Sequence, residues 1–267
     1  MDLTLTIMGT ASAMPISDRY PSAQMLSAGG RLFLIDCGEG CQQQMRRAHL
    51  SFVKIEAIFI SHIHGDHVFG LFGLLNSMAM YGRTGQLHIY GPQPLGNILQ
   101  FFRNYFKDDS GLELVYHPLN MKEPEIVHRS KDLTVSAFPL QHKLPCYGFR
   151  FDEVVSEKHL FYNPSYKGKS YAYCSDTKPF KELPSWVAGV DTLYHEATYM
   201  NGMEDKALQY FHSTTAQAAL CAKEAGAGRL IVGHYSSRIR DYEAYLHECA
   251  EIFPNTVAAN DLDVFKI

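Results

Sequence analysis

Ile58-Phe59-Ile60-Ser61-His62-Ile63-His64-Gly65-Asp66-His67, continued by a hydrophobic segment over residues 68–80, is the stretch on which the fold turns. The apolar run at 58–60 suits a buried strand, and 68–80 suits a helix buried on most of its sides. Between them stand His62, His64, Asp66 and His67, four metal-competent side chains within six residues. His62 and His64 are two apart, so at an extended strand end their imidazoles lie on one side. Asp66 and His67 follow Gly65 and open the helix, where they can address a second ion. Imidazole with carboxylate is borderline-soft ligation that suits zinc, and also manganese or iron. One histidine on an apolar strand is ordinarily a packed or surface residue. Four such groups around one glycine point to metal.

Composition sets the bounds around that stretch. Hydrophobic residues make up 46% and charged residues 19% of 267 positions, enough apolar material for a sizeable core. No apolar run approaches the ~20 residues of a membrane-spanning helix. The start, Met1-Asp2-Leu3-Thr4, lacks a charged region followed by an apolar core. No membrane partner is therefore expected. The cysteines at 37, 41, 146, 174, 221 and 249 are scattered, with no dense framework, so reduced thiols in a cytoplasmic location are expected. A net charge of −4 argues against nonspecific coating of nucleic acid and is compatible with a local basic groove.

Working outward, strands are predicted at 3–8, 31–35, 87–90, 112–116 and 133–138, and helices at 42–49, 94–106 and 241–253. On the last helix Tyr242, Leu246, Cys249 and Phe253 form one stripe, with Pro254 as its stop. The strand at 31–35 ends in Asp36-Cys37-Gly38-Glu39-Gly40, where Asp36 reads either as part of a turn or as a carboxylate steadying a ligand histidine. Further strands run into His142, Asp176, His195-Glu196 and His234, each at a carboxyl end, the edge at which open sheets place their sites. Thr214 with Gln217 has the spacing of a capping box, and Gly226 or Gly228 ends the helix it opens. His212 then stands beside the positive end of that helix. No stretch has linker composition, so 1–267 reads as a single domain.

The His-x-His-x-Asp-His run resembles the signature of the metallo-β-lactamase superfamily. That resemblance implies an α/β fold, a four-layer αβ/βα sandwich of two mixed sheets flanked by helices, with two metal ions at one sheet edge. Further stretches are similar to the ribonuclease Z family: Gly9-Thr10-Ala11-Ser12-Ala13, Asp36-Cys37-Gly38-Glu39-Gly40, Gly70-Leu71-Phe72-Gly73-Leu74-Leu75 and Tyr90-Gly91-Pro92. Tyr173-Cys174-Ser175-Asp176-Thr177, His195-Glu196-Ala197-Thr198, His212-Ser213-Thr214 and His234-Tyr235-Ser236-Ser237-Arg238 extend the likeness in order over nearly the whole chain. The resemblance implies an endoribonuclease that removes the 3′ trailer from precursor tRNA by attack of a metal-held hydroxide on phosphorus, leaving a 3′-hydroxyl. It implies two zinc ions, one on His62, His64 and His142, the other on Asp66, His67 and His234, with Asp176 bridging. It assigns Asp66 to orient or deprotonate the nucleophile, and Glu196 with His212 to protonate the leaving oxygen. His195 is expected to be structural, because alternation points it away from Glu196.

The chain departs from the family in places. Ser17-Asp18-Arg19-Tyr20 keeps only the arginine of a basic family stretch, and Ile239 stands where an aromatic is expected. The segment between His142 and Asp176 is too short for a full tRNA-gripping arm, leaving a shortened arm region at about 150–170 with Lys158, Lys167 and Lys169. The resemblance implies a homodimer in which the arm of one subunit serves the other. The short arm also keeps open a dimetal phosphodiesterase acting on small or cyclic nucleotides. A non-catalytic scaffold with a dead metal site is a third reading, against which the complete ligand set speaks.

Overall fold

The alternation of residues 3–8 becomes β1 (Thr4–Gly9), which runs antiparallel to β2 (Ala23–Ala28), itself antiparallel to β3 (Arg31–Ile35). β4 (Ile55–Phe59), β5 (Gly85–Pro92) and β6 (Leu112–Leu119) then add in turn, each parallel to the one before. Parallel neighbours need crossovers. These carry α1 (Cys41–Arg47), α2 (Gly65–Val68), α3 (Gly70–Met80) and α4 (Pro94–Tyr105). The computed structural model describes residues 3–14, 16–106 and 111–267; the side chain of Lys158 lies outside the described residues.

A second sheet repeats the plan. β7 (Glu125–Arg129), β8 (Leu133–Leu140) and β9 (Cys146–Glu153) are antiparallel. After α5 (Glu157–Tyr162) come β10 (Ser170–Cys174), β11 (Thr192–Glu196), β12 (Leu230–Gly233) and β13 (Thr256–Ala258), mutually parallel. Their connections hold α6 (Leu183–Trp186), α7 (Glu204–Tyr210), α8 (Thr215–Ala225) and α9 (Tyr242–Ile252). β14 (Val264–Lys266) returns to pair with β1. Among the described residues this gives two seven-stranded sheets, ordered β14-β1-β2-β3-β4-β5-β6 and β13-β12-β11-β10-β9-β8-β7.

Three cores define four layers. Met45, Leu71, Leu74, Leu75, Leu95 and Leu99 pack α1, α3 and α4 onto the outer face of the first sheet. Leu5, Ile7, Phe33 and Phe59 of that sheet meet Phe149, Phe151, Tyr171 and Tyr194 of the second. Ala218, Ala222, Tyr245 and Cys249 pack α8 and α9 onto the far side. The predicted αβ/βα sandwich is what forms.

Several details differ from the sequence expectation. The predicted helix over 68–80 is broken at Phe69, because the Gly70 N–H donates to the Cys37 carbonyl at 2.9 Å and draws the start of α3 onto the loop after β3. That approach needs glycine, since a Cβ at Gly70 would strike the Gly38 carbonyl. Phe69 and Met80 are 67% and 80% exposed, so one face of the segment is open rather than buried. On α9 Tyr245 is buried in place of Leu246, its hydroxyl donating to the Ala197 carbonyl at 2.7 Å. β2 and β9 escaped notice because both are buried on nearly every residue and show no two-residue period. Among the described residues no helix is long and apolar enough to cross a membrane.

Candidate active site

β3, β4, β8, β10, β11 and β12 all run toward one edge, and the loops leaving them carry the predicted residues. Just past β4, Ser61 begins the network. Its N–H and its hydroxyl donate to the two oxygens of Asp36 at 2.7 and 2.8 Å. Asp36 also accepts from the Tyr173 hydroxyl at 2.7 Å and from His67 Nδ1–H at 2.8 Å. With its proton committed to Asp36, Ser61 Oγ accepts from Ser175 at 2.9 Å and from His62 Nδ1–H at 3.0 Å. Of the two readings of Asp36, the steadying carboxylate is the one its geometry fits.

These outer bonds decide where the other ring nitrogens point. His142 Nδ1–H donates to the Phe211 carbonyl at 3.1 Å, and His234 Nδ1–H to the Thr198 hydroxyl at 2.8 Å. Nε2 of His62, His67, His142 and His234 is thereby turned inward, the atom each would offer to a cation. His64 Nδ1 lies 3.0 Å from His62 Nε2 and 3.2 Å from His142 Nε2. Asp176 Oδ2 approaches that trio, 3.6 Å from His62 and 3.9 Å from His142. Its other oxygen, Oδ1, is 3.4 Å from His67 Nε2 and 3.2 Å from His234 Nε2, where Asp66 Oδ2 also stands at 3.4 and 3.3 Å. The structure thus brings the seven predicted ligands into two groups, with Asp176 between them.

Such an arrangement fits cations. Lone pairs facing one another repel, and Asp176 Oδ1 is buried without a hydrogen-bond partner, a costly state unless an ion answers it. Burial, with His67 second, lowers the His62 pKa well below its ordinary value and keeps that imidazole neutral, as ligation requires. Burial opposes the charge of Asp66, yet His67 and His234 hold its carboxyl below the usual range; His234 and His67 do the same for Asp176. Against burial, Asp176, Asp66 and Asp36 in turn raise the His67 pKa well above its ordinary value, a proton that a bound cation would replace.

Beside the ligands lies the predicted donor pair. Glu196 is buried, and Oε1 accepts from Thr177 N–H at 3.2 Å, Ser213 N–H at 2.9 Å and His212 Nδ1–H at 3.0 Å. Oε2 accepts from the N–H and the hydroxyl of Thr198 at 2.9 and 2.7 Å. Five donors fix an ionised carboxylate. Burial alone would lower the His212 pKa, but the Glu196 charge and then Asp176 overcome it and raise the value to about 9. The His212 ring lies 5.3 Å from that of His142 and 5.5 Å from that of His234. Thr214 and Gln217 form the reciprocal capping box at the start of α8, and Gly226 ends that helix. His195 points elsewhere, its Nδ1–H donating to the Glu196 carbonyl at 2.7 Å.

Asp36, Phe211 and His234 have φ of 55°, 61° and 61°, in the left-handed region that non-glycine residues avoid, so the surrounding bonds hold strain at this site. The ligands open into a cleft of about 510 Å³, also lined by Met14, Lys143, Tyr199, Tyr210 and Arg238. Sequence reasoning did not single out Ser61, Thr198 or the Phe211 carbonyl. Ser61 stands next to His62 and Thr198 two past Glu196, the only signals available. A backbone carbonyl leaves none.

A family model described as a beta-lactamase superfamily domain matches residues 31–235. Ribonuclease Z of Bacteroides fragilis is 36% identical over 293 residues, covering 96% of this chain and 96% of the relative. Ribonuclease Z of Porphyromonas gingivalis is 36% identical over 291 residues, again covering 96% of each. The short form of human tRNase Z superposes with a TM-score of 0.83 at 28% identity, covering 98% of both chains. A diphosphatase of the PhnP family, at 19% identity and a TM-score of 0.72, shares the fold. On this likeness and on its ligand cluster, the chain belongs to the ribonuclease Z family, metal-dependent endoribonucleases within the β-lactamase superfamily.

Proposed function

We propose that this enzyme removes the 3′ trailer from precursor tRNA, using two divalent ions, zinc foremost, with manganese or iron also suited to the ligands. The observation that carries the reading is a ligand set in two groups sharing Asp176, with a carboxylate-locked histidine beside it. His62, His64, His142 and Asp176 Oδ2 would hold one ion; Asp66, His67, His234 and Asp176 Oδ1 would hold the other. Bound divalent ions supply Lewis acidity toward phosphate oxygens and lower the pKa of water.

The chain's residues orient the reactants and move protons. Asp66, kept ionised, takes the proton of the attacking water as its oxygen bonds to phosphorus. The bond from phosphorus to the 3′-oxygen of the last retained nucleotide breaks, and the phosphate stays with the trailer. That leaving oxygen is strongly basic and departs poorly without a proton. With Nδ1–H committed to Glu196, His212 delivers the Nε2 proton, and Glu196 steadies the imidazolium until then.

Residues 1–267 act as one domain in this reading. A homodimer is supported by the apolar face of α3 and α4, where Phe69, Met80, Phe101, Tyr105 and Phe106 are exposed. Six free, buried cysteines support a reducing, cytoplasmic setting. In the shortened arm region the interval between β9 and β10 is filled by α5 and a turn; Lys167 is exposed there, and Lys169 pairs with Asp191 at 3.2 Å. This brevity favours, as a second reading, a small or cyclic nucleotide phosphodiester as substrate.

The test is cleavage of a 3′-extended precursor tRNA by metal-loaded protein, beside bis(p-nitrophenyl) phosphate. A cut after the last retained nucleotide is expected. Turnover of the small diester alone would transfer the assignment to small phosphodiesters. A protein that binds no metal and turns over neither would be a scaffold.

A further inference from the structure

The cleft has a rim that the proton transfers leave unused. There, Lys143 Nζ stands 4.8 Å from the centroid of the Tyr210 ring. Of the two tyrosines lining the cleft, Tyr199 is 8% exposed and Tyr210 41%. Tyr210 is therefore the ring offered to an incoming molecule.

Both residues are held in register with the chemistry. Lys143 directly follows His142, and Tyr210, the last residue of α7, precedes His212 by two positions. The two segments are joined by the bond from His142 Nδ1–H to the Phe211 carbonyl at 3.1 Å. The His212 N–H donates back to the Ala207 carbonyl at 2.8 Å, which fixes the turn out of α7. A group resting on Tyr210 is thus placed relative to both the ligand histidines and the proton donor.

We propose that Lys143 and Tyr210 form the binding site for the last retained nucleotide of the RNA, Tyr210 stacking on its base and Lys143 facing its 5′ phosphate. This rests on the ribonuclease reading above. The direction follows from the chemistry. His212 must reach the leaving 3′-oxygen, so the nucleoside bearing that oxygen lies on the His212 side of the scissile phosphate, and Tyr210, two residues before His212, is the exposed aromatic ring in the same cleft lining. Every base has a π face, so such a platform holds a nucleotide without demanding a particular base. Lys143 covers part of the ring and brings a positive charge within reach of the backbone entering the cleft.

An enzyme–substrate cycle tests this. Metal-loaded wild type, Tyr210→Ala, Tyr210→Phe and Lys143→Ala are assayed on a 3′-extended precursor and on the same RNA with an abasic last retained nucleotide. Tyr210→Ala is expected to lose about 10-fold in kcat/KM on the intact RNA, the scale of base–aromatic stacking. On the abasic RNA that loss disappears, and Tyr210→Phe behaves as wild type on both. Lys143→Ala is expected to flatten the salt dependence of binding by about 0.7 in log–log slope, one phosphate's worth. Equal losses by Tyr210→Ala on intact and abasic RNA, or no loss on either, overturn the stacking site while leaving the ribonuclease reading in place. Wild type that leaves the precursor uncut removes the ribonuclease reading, and this site with it.

Discussion

His88 and His117 have ring centroids 5.2 Å apart, as close as those of His67 and His234 at 5.3 Å, with His128 6.2 Å from His88, yet their ring nitrogens are used differently. His88 Nδ1 and His117 Nε2 are 2.9 Å apart, one donating its N–H to the lone pair of the other. His128 spends Nδ1 on the Tyr90 hydroxyl at 3.0 Å and Nε2 on Glu56 at 3.3 Å. Burial and then neighbouring groups depress the pKa of His117, and burial that of His128, but no three of these ligand atoms converge among the described residues. In the active-site cluster, Ser61, Asp36, Phe211 and Thr198 take up one nitrogen each of His62, His67, His142 and His234, so the remaining lone pairs meet. Closeness of imidazoles does not make a metal site. The partner of the second nitrogen does.

The largest break in that contrast is expected from Asp176→Ala, because Asp176 turns one oxygen to each ligand group. Turnover should fall by on the order of 10³-fold or more, the several kcal/mol that metal assistance contributes. Metal content per chain, read by elemental analysis, should drop below that of wild type. Full metal content with full activity would mean that Asp176 bridges nothing.

Glu196→Gln comes next. A proton donor works only while protonated, so activity falls as pH rises through the His212 pKa, raised to about 9 with Glu196 ionised beside it. Removing that charge lowers the His212 pKa, and the alkaline limb of the pH–rate profile should move to lower pH. Near neutrality the loss should be about 10²-fold, at the modest end for general acid catalysis, and smaller for a nitrophenolate leaving group. An unmoved alkaline limb, or equal losses on both substrates, would take the donor role from this pair.

Both of those residues were legible in the sequence, and the reason is local. The ligands sit either in one unbroken motif or directly after strands whose apolar runs are easy to see, and a sheet gathers its strand ends at one edge. The sandwich itself followed from the same likeness and the same strands. The groups that aim the ligands were not legible. Thr198 acquires its meaning when β11 and β12 pair, bringing His234 beside it, and the Phe211 carbonyl acts only because that residue adopts a φ of 61°. Among the strands, β7 hides in a stretch that reads as polar, and β13 and β14 are three residues each at sheet edges. Register and backbone strain belong to tertiary structure and leave little trace in residue order.

Thr198→Val sharpens the comparison at that level. It keeps the shape and removes a hydroxyl that donates to Glu196 and accepts from His234 Nδ1–H. His234 loses the bond that orients its Nε2, so affinity for a divalent ion at the ligand cluster should weaken about 10-fold, by analogy with outer-sphere partners of other metal sites. Competition with a chelator reads this without reference to activity. Thr198→Ser should restore it; a serine variant as weak as the valine one would assign the effect to packing.

The smallest effect is expected on the other side of the contrast. His128→Phe keeps an aromatic ring where His128 meets Phe33 and Phe59 edge-on, but it leaves the buried Tyr90 hydroxyl without its partner. An unpaired buried hydroxyl costs about 1–3 kcal/mol, whereas removing both partners is close to neutral. Urea unfolding should therefore show His128→Phe destabilised by roughly 1–2 kcal/mol, with much of that recovered when Tyr90→Phe is added. Metal content should stay at the wild-type value in both variants. A loss of metal on changing His128 would erase the distinction between the two histidine groups, since His128 has both ring nitrogens engaged by Tyr90 and Glu56 and no lone pair to lend to an ion.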